Sequence, residues 1–334
     1  MSAYLFSIGA TTAIFILLAL SLNIITGYAG QAMMGQAAFF GIGAYTAGIM
    51  TNAGINFWLA LVGALVVTGI CGAILGAISL RLQADFLAIT TIGINFVMVA
   101  LFNNLKITGG SLGMTVSKPE LFGVRMTNTH FFFLTLIFIV ILCLLIVKMK
   151  KSWFGMALAS INNDAGAARS FGINVSKYQI LTFVIGTAIA GFAGGIYVHR
   201  MGFIASSDFA FVVSIEILSM VVIGGIGTIR GPILGGFLLT FLPEMLRFAD
   251  DYRSLIYGAL LVLMVRFMPE GLIGDGSPVV RGFFKLVGMF RKNGKADAAV
   301  EAGAVAGAAV EEAAEETAAD AAVEAAEEGG RSDE

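Results

Sequence analysis

Charge, cysteine and proline are all scarce in this sequence. Charged residues make up 13% of its 334 residues, five are proline and two are cysteine, while hydrophobic residues make up 58% and the mean hydropathy is +0.90. A soluble domain carries about a quarter charged residues. The composition therefore excludes an ordinary soluble protein and indicates one that crosses the membrane several times.

Side chains that carry catalysis or bind metals are also few. Cys71 and Cys143 both lie inside apolar runs, so we expect neither a disulfide nor a metal site. His130 and His199 stand near the ends of apolar runs, and no serine–histidine–acid or paired-carboxylate pattern accompanies them. We expect the chain to be no enzyme and to hold no metal or cofactor.

Nucleotide-binding motifs are missing although glycine is abundant, at 42 residues. A phosphate-binding loop needs a strand before its glycines and a Gly-Lys-Ser/Thr sequence after them. The glycines within residues 41–43, 108–113 and 225–227 have neither. Residues 108–113 have the composition of a turn, and the other two stretches lie in apolar helical context. We therefore expect no ATP site on this chain, and no nucleic-acid partner.

Long apolar runs follow one another along most of the chain. Because a helix needs ~20 residues to cross the hydrocarbon core, we predict an all-α polytopic integral membrane protein with about nine transmembrane helices (8–10). The first run has no basic segment before it, so we interpret it as an uncleaved first helix and not as a signal peptide. The second and seventh runs are rich in glycine, which is typical of broken or re-entrant helices. The predicted spans are residues 4–25, 32–50, 57–80, 86–102, 131–147, 178–198, 211–226, 231–246 and 255–267.

Residues 148–177 form the longest polar break in the middle of the chain. The preceding apolar run ends in three lysines, which is typical of the cytoplasmic side of a membrane helix. We predict two short helices, 153–161 and 164–171, with Asn162 and Asn163 as N-cap residues and Gly172 as a left-handed C-cap. Such a pair is suited either to docking a soluble partner or to packing on its own bundle. Spacings of three and four predict one apolar stripe, formed by Phe154, Leu158, Ile161, Ala165 and Ala168.

If residues 148–177 lie in the cytoplasm, the side of the membrane on which each other segment lies follows from the order of the spans. The N-terminus then lies outside, residues 103–130 form an external loop, and the C-terminus is cytoplasmic. The chain divides into a membrane domain, 1–273, a basic cytoplasmic segment, 274–295, and an acidic tail rich in alanine and glutamate, 296–334. The tail lacks the large apolar residues of a core, so we predict that it is disordered.

Five polar side chains inside the predicted spans are candidates for a translocation path or a helix interface. A charge at the bilayer centre costs on the order of 3 kcal/mol, so Glu216 should have a partner or line a cavity. Asn23, Gln31, Gln36 and Asn95 are weaker candidates, because amides in the membrane also serve as hydrogen-bonding groups between helices. Glycines crowd residues 27–48 and 224–236. Two such clusters are typical of transporters built from two related halves with broken helices.

Several of these stretches resemble branched-chain amino acid ABC permeases. The similarity keeps one order from about residue 23 to residue 273. The long Thr-Gly-Gly loop and Gly172-Ile-Asn174 favour the LivM-type subunit over the LivH-type. The matching stretches are Leu22-Asn-Ile-Ile-Thr-Gly-Tyr-Ala-Gly-Gln31, Ala37-Ala-Phe-Phe-Gly-Ile-Gly-Ala-Tyr45, Thr108-Gly-Gly-Ser111, Gly172-Ile-Asn174, Met220-Val-Val-Ile-Gly-Gly-Ile-Gly-Thr228, Gly231-Pro232, Leu242-Pro-Glu244 and Pro269-Glu-Gly-Leu272.

This resemblance implies a multi-pass permease subunit of a bacterial inner membrane, surrounded by lipid, that imports branched-chain or related apolar amino acids. It implies four partner subunits: a LivH-like permease subunit, two cytoplasmic ATPase subunits that bind the ATP, and an extracytoplasmic substrate-binding protein. The segment from Gly166 resembles the EAA-type loop that meets the ATPases, although Gly166 replaces the usual acidic residue. The coupling residues implied by the resemblance are Asn163, Asp164, Ala167, Ala168 and Gly172.

Two other classes of protein fit the composition. An ion-gradient-coupled secondary transporter of small organic solutes would use Glu216 as its ion or proton site. A non-transporting membrane scaffold would leave the buried polar residues without a role. Within the permease interpretation, the cargo stays open between leucine-like amino acids, an amide and urea.

Overall fold

The computed structural model describes residues 2–79, 84–121 and 124–245, together with Gly258, Ala259, Val262 and Arg266. The predicted ninth span falls almost entirely outside these residues, and the predicted segments 274–295 and 296–334 fall wholly outside them. The helices are α1 (Ser2–Asn23), α2 (Gln36–Asn52), α3 (Phe57–Ser79), α4 (Ala84–Asn104), α5 (Asn128–Lys151), α6 (Trp153–Asn163), α7 (Ala165–Ser170), α8 (Val175–Met201), α9 (Phe211–Gly224) and α10 (Arg230–Met245). The short strands are β1 (Met114–Thr115), β2 (Glu120–Leu121), β3 (Val124–Arg125) and β4 (Phe203–Ile204).

Among the described residues, six helical segments are long and apolar enough to cross a membrane. The chain is therefore an all-α, multi-pass membrane protein. Helices also stand at the second and eighth predicted spans: α2 has 17 residues, and α10 covers Arg230–Met245, where this described stretch of the chain ends. Within the described residues, six of the nine predicted spans coincide with such segments, and the total of nine stays a prediction. The six segments are Tyr4–Tyr28, Phe57–Ile78, Phe86–Asn104, Asn128–Lys151, Val175–Met201 and Ser206–Gly224.

Helices α1 and α8 form the inside of the bundle. In each of them 61% of the apolar span is buried, compared with 22% in α4 and 28% in α5. Helix α8 packs against α1, α2 and α3, and α1 also packs against α5, α9 and α10. The outer helices present rows of exposed apolar side chains, such as Ile89 and Phe96 on α4. Lipid covers such faces in a membrane protein, so these rows need no partner of their own.

Small residues bring α2 and α8 close together. A Cβ atom added to Gly43 would overlap the backbone of Gly191, and one added to Gly194 would overlap the carbonyl oxygen of Phe40. In lipid, helices associate chiefly through such close packing, because the lipid tails are as apolar as the side chains. The α2–α8 contact is therefore a fixed part of the fold.

The loop between α4 and α5 closes one end of the bundle. Strand β1 pairs antiparallel with β4, with Met114 opposite Ile204, and β2 pairs with β3. Gly109, Gly110 and Gly113 all have positive φ, which confirms the turn predicted for residues 108–113. At this end the buried His199 ring lies 2.7 Å from the Thr51 hydroxyl and 2.6 Å from the Gly195 carbonyl oxygen. These contacts give His199 a structural role between α8 and α2.

We expect Gly43→Ala to destabilise the protein, because its new methyl group meets the backbone of α8. Overpacking of this kind costs about 1–3 kcal/mol. Gly93 on α4 is the matched control, since an added Cβ there meets nothing within 4 Å. Gly93→Ala should be neutral or stabilising by up to ~1 kcal/mol through helix propensity. Thermal unfolding in detergent measures both, and equal melting temperatures would show that the α2–α8 contact is not close-packed.

Candidate functional site

The polar break after α5 folds into two short helices, α6 and α7, as predicted. The residue that caps α7 differs from the prediction. The Asp164 carboxylate accepts hydrogen bonds from the backbone N–H groups of Gly166 (2.8 Å) and Ala167 (3.0 Å). Asn162 and Asn163, predicted as N-caps, lie in the last turn of α6 instead. The backbone becomes extended only at Asp164, so its carboxylate alone is placed to meet the free N–H groups.

Gly172 ends α7 as predicted. Its φ is +80°, in the left-handed region that glycine adopts without strain. The N–H of Gly172 donates to Arg169 O (3.0 Å), and the N–H of Ile173 donates to Ala168 O (3.1 Å). These two bonds form a Schellman motif, in which the residue after the glycine packs back on the helix. An added Cβ at Gly172 would meet nothing, so backbone conformation alone requires glycine here.

The apolar stripe of this loop faces its own chain. Leu158, Ile161 and Ala168 are buried, and the last two cluster with Val175 at the start of α8. The Ala168 side chain is 3% exposed in this chain, and its predicted role in coupling stays a prediction. The outer surface carries other residues. Asn163 and Ala167 are exposed there, together with the large apolar side chains of Trp153, Met156 and Phe171.

Helical structure is interrupted just before α2 and just after α9, at the edges of the second and seventh predicted spans, and these two breaks lie against each other. Helix α1 continues as a π-helical turn, Ile24–Tyr28, and an irregular segment follows up to α2. The second break separates α9 from α10. The Asn23 side chain bridges them: its Oδ1 accepts from Gly227 N (2.9 Å), and its Nδ2 donates to Thr228 O (2.7 Å). A Cβ added to Gly27 would lie 2.6 Å from Gly227 N, so the two backbones are in contact.

The other three amides are buried, and each has an unpaired oxygen. Gln36 Nε2 donates to the hydroxyl of Ser21 on α1 (2.7 Å), and Asn95 Nδ2 lies 3.4 Å from Phe209 O. The side-chain oxygens of Gln31, Gln36 and Asn95 accept no hydrogen bond within the described part of the chain. Buried polar atoms normally have partners. Gln36 and Asn95 therefore join helices and loops through their N–H groups, and the place of all three amides on a translocation path stays a prediction.

Three hydroxyl groups at this site were missed by the sequence analysis. The Ser214 hydroxyl accepts from Ala37 N (2.9 Å), the Thr91 hydroxyl accepts from Met34 N (3.0 Å), and the Ser21 hydroxyl binds Gln36. The Ser214 and Thr91 hydroxyls thus accept hydrogen bonds from backbone N–H groups at the start of α2 and just before it. Serine and threonine inside apolar runs usually bond to a carbonyl of their own helix. Their sequence context therefore gave little signal of this role.

Glu216 lies half-buried on α9. Within residues 2–79, 84–121 and 124–245 the carboxylate of its side chain forms neither an ion pair nor a hydrogen bond. The structure therefore does not bring Glu216 together with the four amides through any such bond, and its predicted role stays a prediction.

Helix α6 borders a cavity of about 430 Å³ next to the two breaks. Tyr28, Lys150, Asn162 and Thr228 are among the residues that line it. Lys150 Nζ lies 5.0 Å from the centre of the Tyr28 ring, a cation–π distance. The Asn162 side chain lies against Gly30, where it occupies the space that a Cβ would take. The loop between α5 and α8 thus touches the first break directly.

The chain is similar to known membrane transport proteins. The family model described as branched-chain amino acid transport system / permease component matches residues 4–265. The high-affinity branched-chain amino acid transport system permease protein LivM of Escherichia coli (strain K12) is 33% identical over 316 residues, which cover 86% of this chain and 72% of that protein. The corresponding LivH protein of the same strain is 27% identical over 294 residues, 80% of this chain and 92% of that protein. No solved structure matches the chain.

We expect Asp164→Ala to loosen α7, because two backbone N–H groups lose their acceptor. Loss of an N-cap costs about 1 kcal/mol. Hydrogen exchange of the Gly166 and Ala167 amides should speed up by roughly fivefold. Asn163→Ala is the matched control, since Asn163 is exposed at the end of α6 and should leave both amides unchanged. If the asparagine variant gave the faster exchange instead, Asp164 would not be the cap.

Proposed function

Because the chain belongs to the family of branched-chain amino acid transport permease components, we propose that it forms part of the membrane path of an ABC importer. Its cargo would be branched-chain or related apolar amino acids, and ATP hydrolysed on partner subunits would drive the uptake. The chain itself would bind neither ATP nor another cofactor. The observation that carries this proposal is the family match along residues 4–265. The ion-gradient carrier considered above has no support from the relatives.

The proposed assembly contains four kinds of subunit in a bacterial inner membrane. This chain would pair with a LivH-like permease, since LivM and LivH proteins both resemble it. Two ATPase subunits would bind on the cytoplasmic side, and a substrate-binding protein would deliver cargo from outside. The C-terminus would be cytoplasmic. This arrangement follows from the family resemblance and from the lysines at the end of α5.

The exposed face of α6 and α7 is the proposed contact with an ATPase subunit. Trp153 is 71% exposed and Phe171 is 86% exposed, although both are large apolar side chains outside the long apolar runs. Exposed apolar groups at a polar loop are typical of a protein–protein contact. The buried stripe on the opposite face holds the two helices to α8 and to the bundle. Movement of an ATPase would therefore be passed to the bundle through α6.

The proposed function predicts uptake only by the complete assembly. We expect proteoliposomes with both permeases, both ATPases and the binding protein to accumulate leucine when ATP is supplied. Omission of this chain, of ATP or of the binding protein should abolish the uptake. Competition by isoleucine and valine, compared with acetamide and urea, identifies the class of cargo. Accumulation driven by a proton or sodium gradient without ATP would contradict the proposal.

The exposed face and the buried stripe should respond differently to a negative charge. We expect Phe171→Glu to abolish co-purification of the ATPase subunits and leucine uptake, without lowering the melting temperature of the isolated subunit. Ala168→Glu should lower that melting temperature, because an unpaired buried charge costs several kcal/mol.

Ser176→Glu is the matched control for these variants. Ser176 is exposed at the start of α8, where a negative charge is tolerated by the helix dipole. The Ser176→Glu variant should still co-purify with the ATPase subunits and should keep the melting temperature of the unmodified subunit. If Phe171→Glu retained the ATPases and full uptake, the exposed face of α7 would not be the coupling surface.

A further inference from the structure

We propose that Asn23 is a latch that holds the two broken helices together and must open during each transport cycle. This inference rests on the proposed function and assigns to Asn23 a positioning role within it. The latch consists of the Asn23 amide and the backbone of Gly227 and Thr228. Cargo would pass this end of the path only when the two breaks separate.

The Asn23 amide uses both of its groups on the second break. It accepts from Gly227 N at 2.9 Å and donates to Thr228 O at 2.7 Å, and the residue is fully buried. Backbone groups freed by a helix break inside a membrane need partners, since no water replaces the lost helical bonds. A single side chain on α1 thus satisfies one donor and one acceptor of a segment about 200 residues later.

The segment that Asn23 holds is internally ordered. The Thr228 hydroxyl donates to Gly225 O (2.9 Å) and accepts from Gly231 N (3.0 Å), so it ties the end of α9 to the start of α10. Gly225 and Gly227 have φ values of 122° and 77°, which side-chain-bearing residues rarely adopt. The second break can therefore move as one unit when the Asn23 bonds open.

The first break is in contact with the proposed coupling loop. Asn162 of α6 lies against Gly30, and Lys150 at the end of α5 lies over the Tyr28 ring. The cavity of about 430 Å³ lies between α6 and both breaks. A shift of α6 would thus reach the segment after α1 through direct contact, and the cavity gives that shift room.

The strength of the latch suits repeated opening. Hydrogen bonds between membrane helices shift an equilibrium by about threefold each, so two of them hold the closed state by roughly tenfold. The two breaks meet in backbone contact only at Gly27 and Gly227, whereas α2 and α8 are packed backbone to backbone on successive turns, at Gly43 against Gly191 and at Gly194 against Phe40. The two breaks can therefore separate more readily than α2 and α8.

The test uses the complete complex in proteoliposomes. Asn23→Ala should raise leucine efflux without ATP, and ATP hydrolysis without binding protein, by roughly tenfold each. Gly27→Ala should do the same while the Asn23 side chain is still present, because its methyl group would overlap both Asn23 Oδ1 and Gly227 N and so displace the bond between them. Asn103→Ala is the matched control. Asn103 lies at the end of α4, and its side chain accepts a long-range hydrogen bond from the Ser206 hydroxyl, which the variant removes. A merely structural role for Asn23 would instead lower uptake, ATP hydrolysis and melting temperature together.

A measurement on the unmodified complex guards against variants that fail to fold. Hydrogen exchange of the peptide that contains Gly227 should be slow in the resting complex and faster in the complex trapped with ATP and vanadate. Equal exchange in both states would overturn the latch, as would wild-type leak in both Asn23→Ala and Gly27→Ala. Failure of the unmodified complex to take up leucine with ATP would count against the proposed function, whereas normal uptake with unchanged leak in the variants counts against the latch alone.

Discussion

The need to satisfy backbone polar groups inside lipid shapes this bundle more than any other constraint. Unbroken helices meet it within themselves, and α3, α4 and α5 consequently need only apolar side chains toward the membrane. Each helix break creates free N–H and C=O groups that must find partners elsewhere. The partners here are side chains of other helices: the Asn23 amide, the Thr91 hydroxyl and the Ser214 hydroxyl. The polar residues of the spans are therefore arranged around the breaks, and the breaks draw α1, α4 and α9 to the same region.

Glycine serves two different purposes in this arrangement. At Gly43 and Gly194 it removes side chains so that α2 and α8 can approach to backbone contact. At Gly172 no neighbour is close, and glycine is required only because the backbone turns left-handed at the end of α7. The sequence signal, a high glycine content, is the same in both cases. Only the three-dimensional neighbours separate a packing glycine from a turn glycine.

The sequence alone predicted what depends on local chemistry. Long apolar runs predicted the six segments that can span the membrane, and Gly172 was correctly placed as a cap because its signal lies within one turn of helix. The predicted N-cap of α7 was wrong. Asn162, Asn163 and Asp164 are all good N-cap residues, and which of them caps α7 depends on where α6 ends. The apolar stripe predicted which face of α6 and α7 is buried, but not which surface covers it. Contacts between Asn23 and Gly227 join residues about 200 positions apart, and no local pattern specifies such a pair.

The burial of the stripe changes how coupling between the loop and the membrane is understood. If the stripe contacted an ATPase, α6 would be held by the partner and free to move against its own bundle. Because Leu158, Ile161 and Ala168 instead pack on their own chain, α6 and α7 are joined to α8 and move with it. If an ATPase binds the exposed face as proposed, its movement would be passed to the bundle, and Asn162 against Gly30 is a direct contact between α6 and a break. Under the proposed function, the breaks, which are held by a few hydrogen bonds, would yield before the close-packed α2–α8 contact, and this difference in strength would direct the movement to the proposed path.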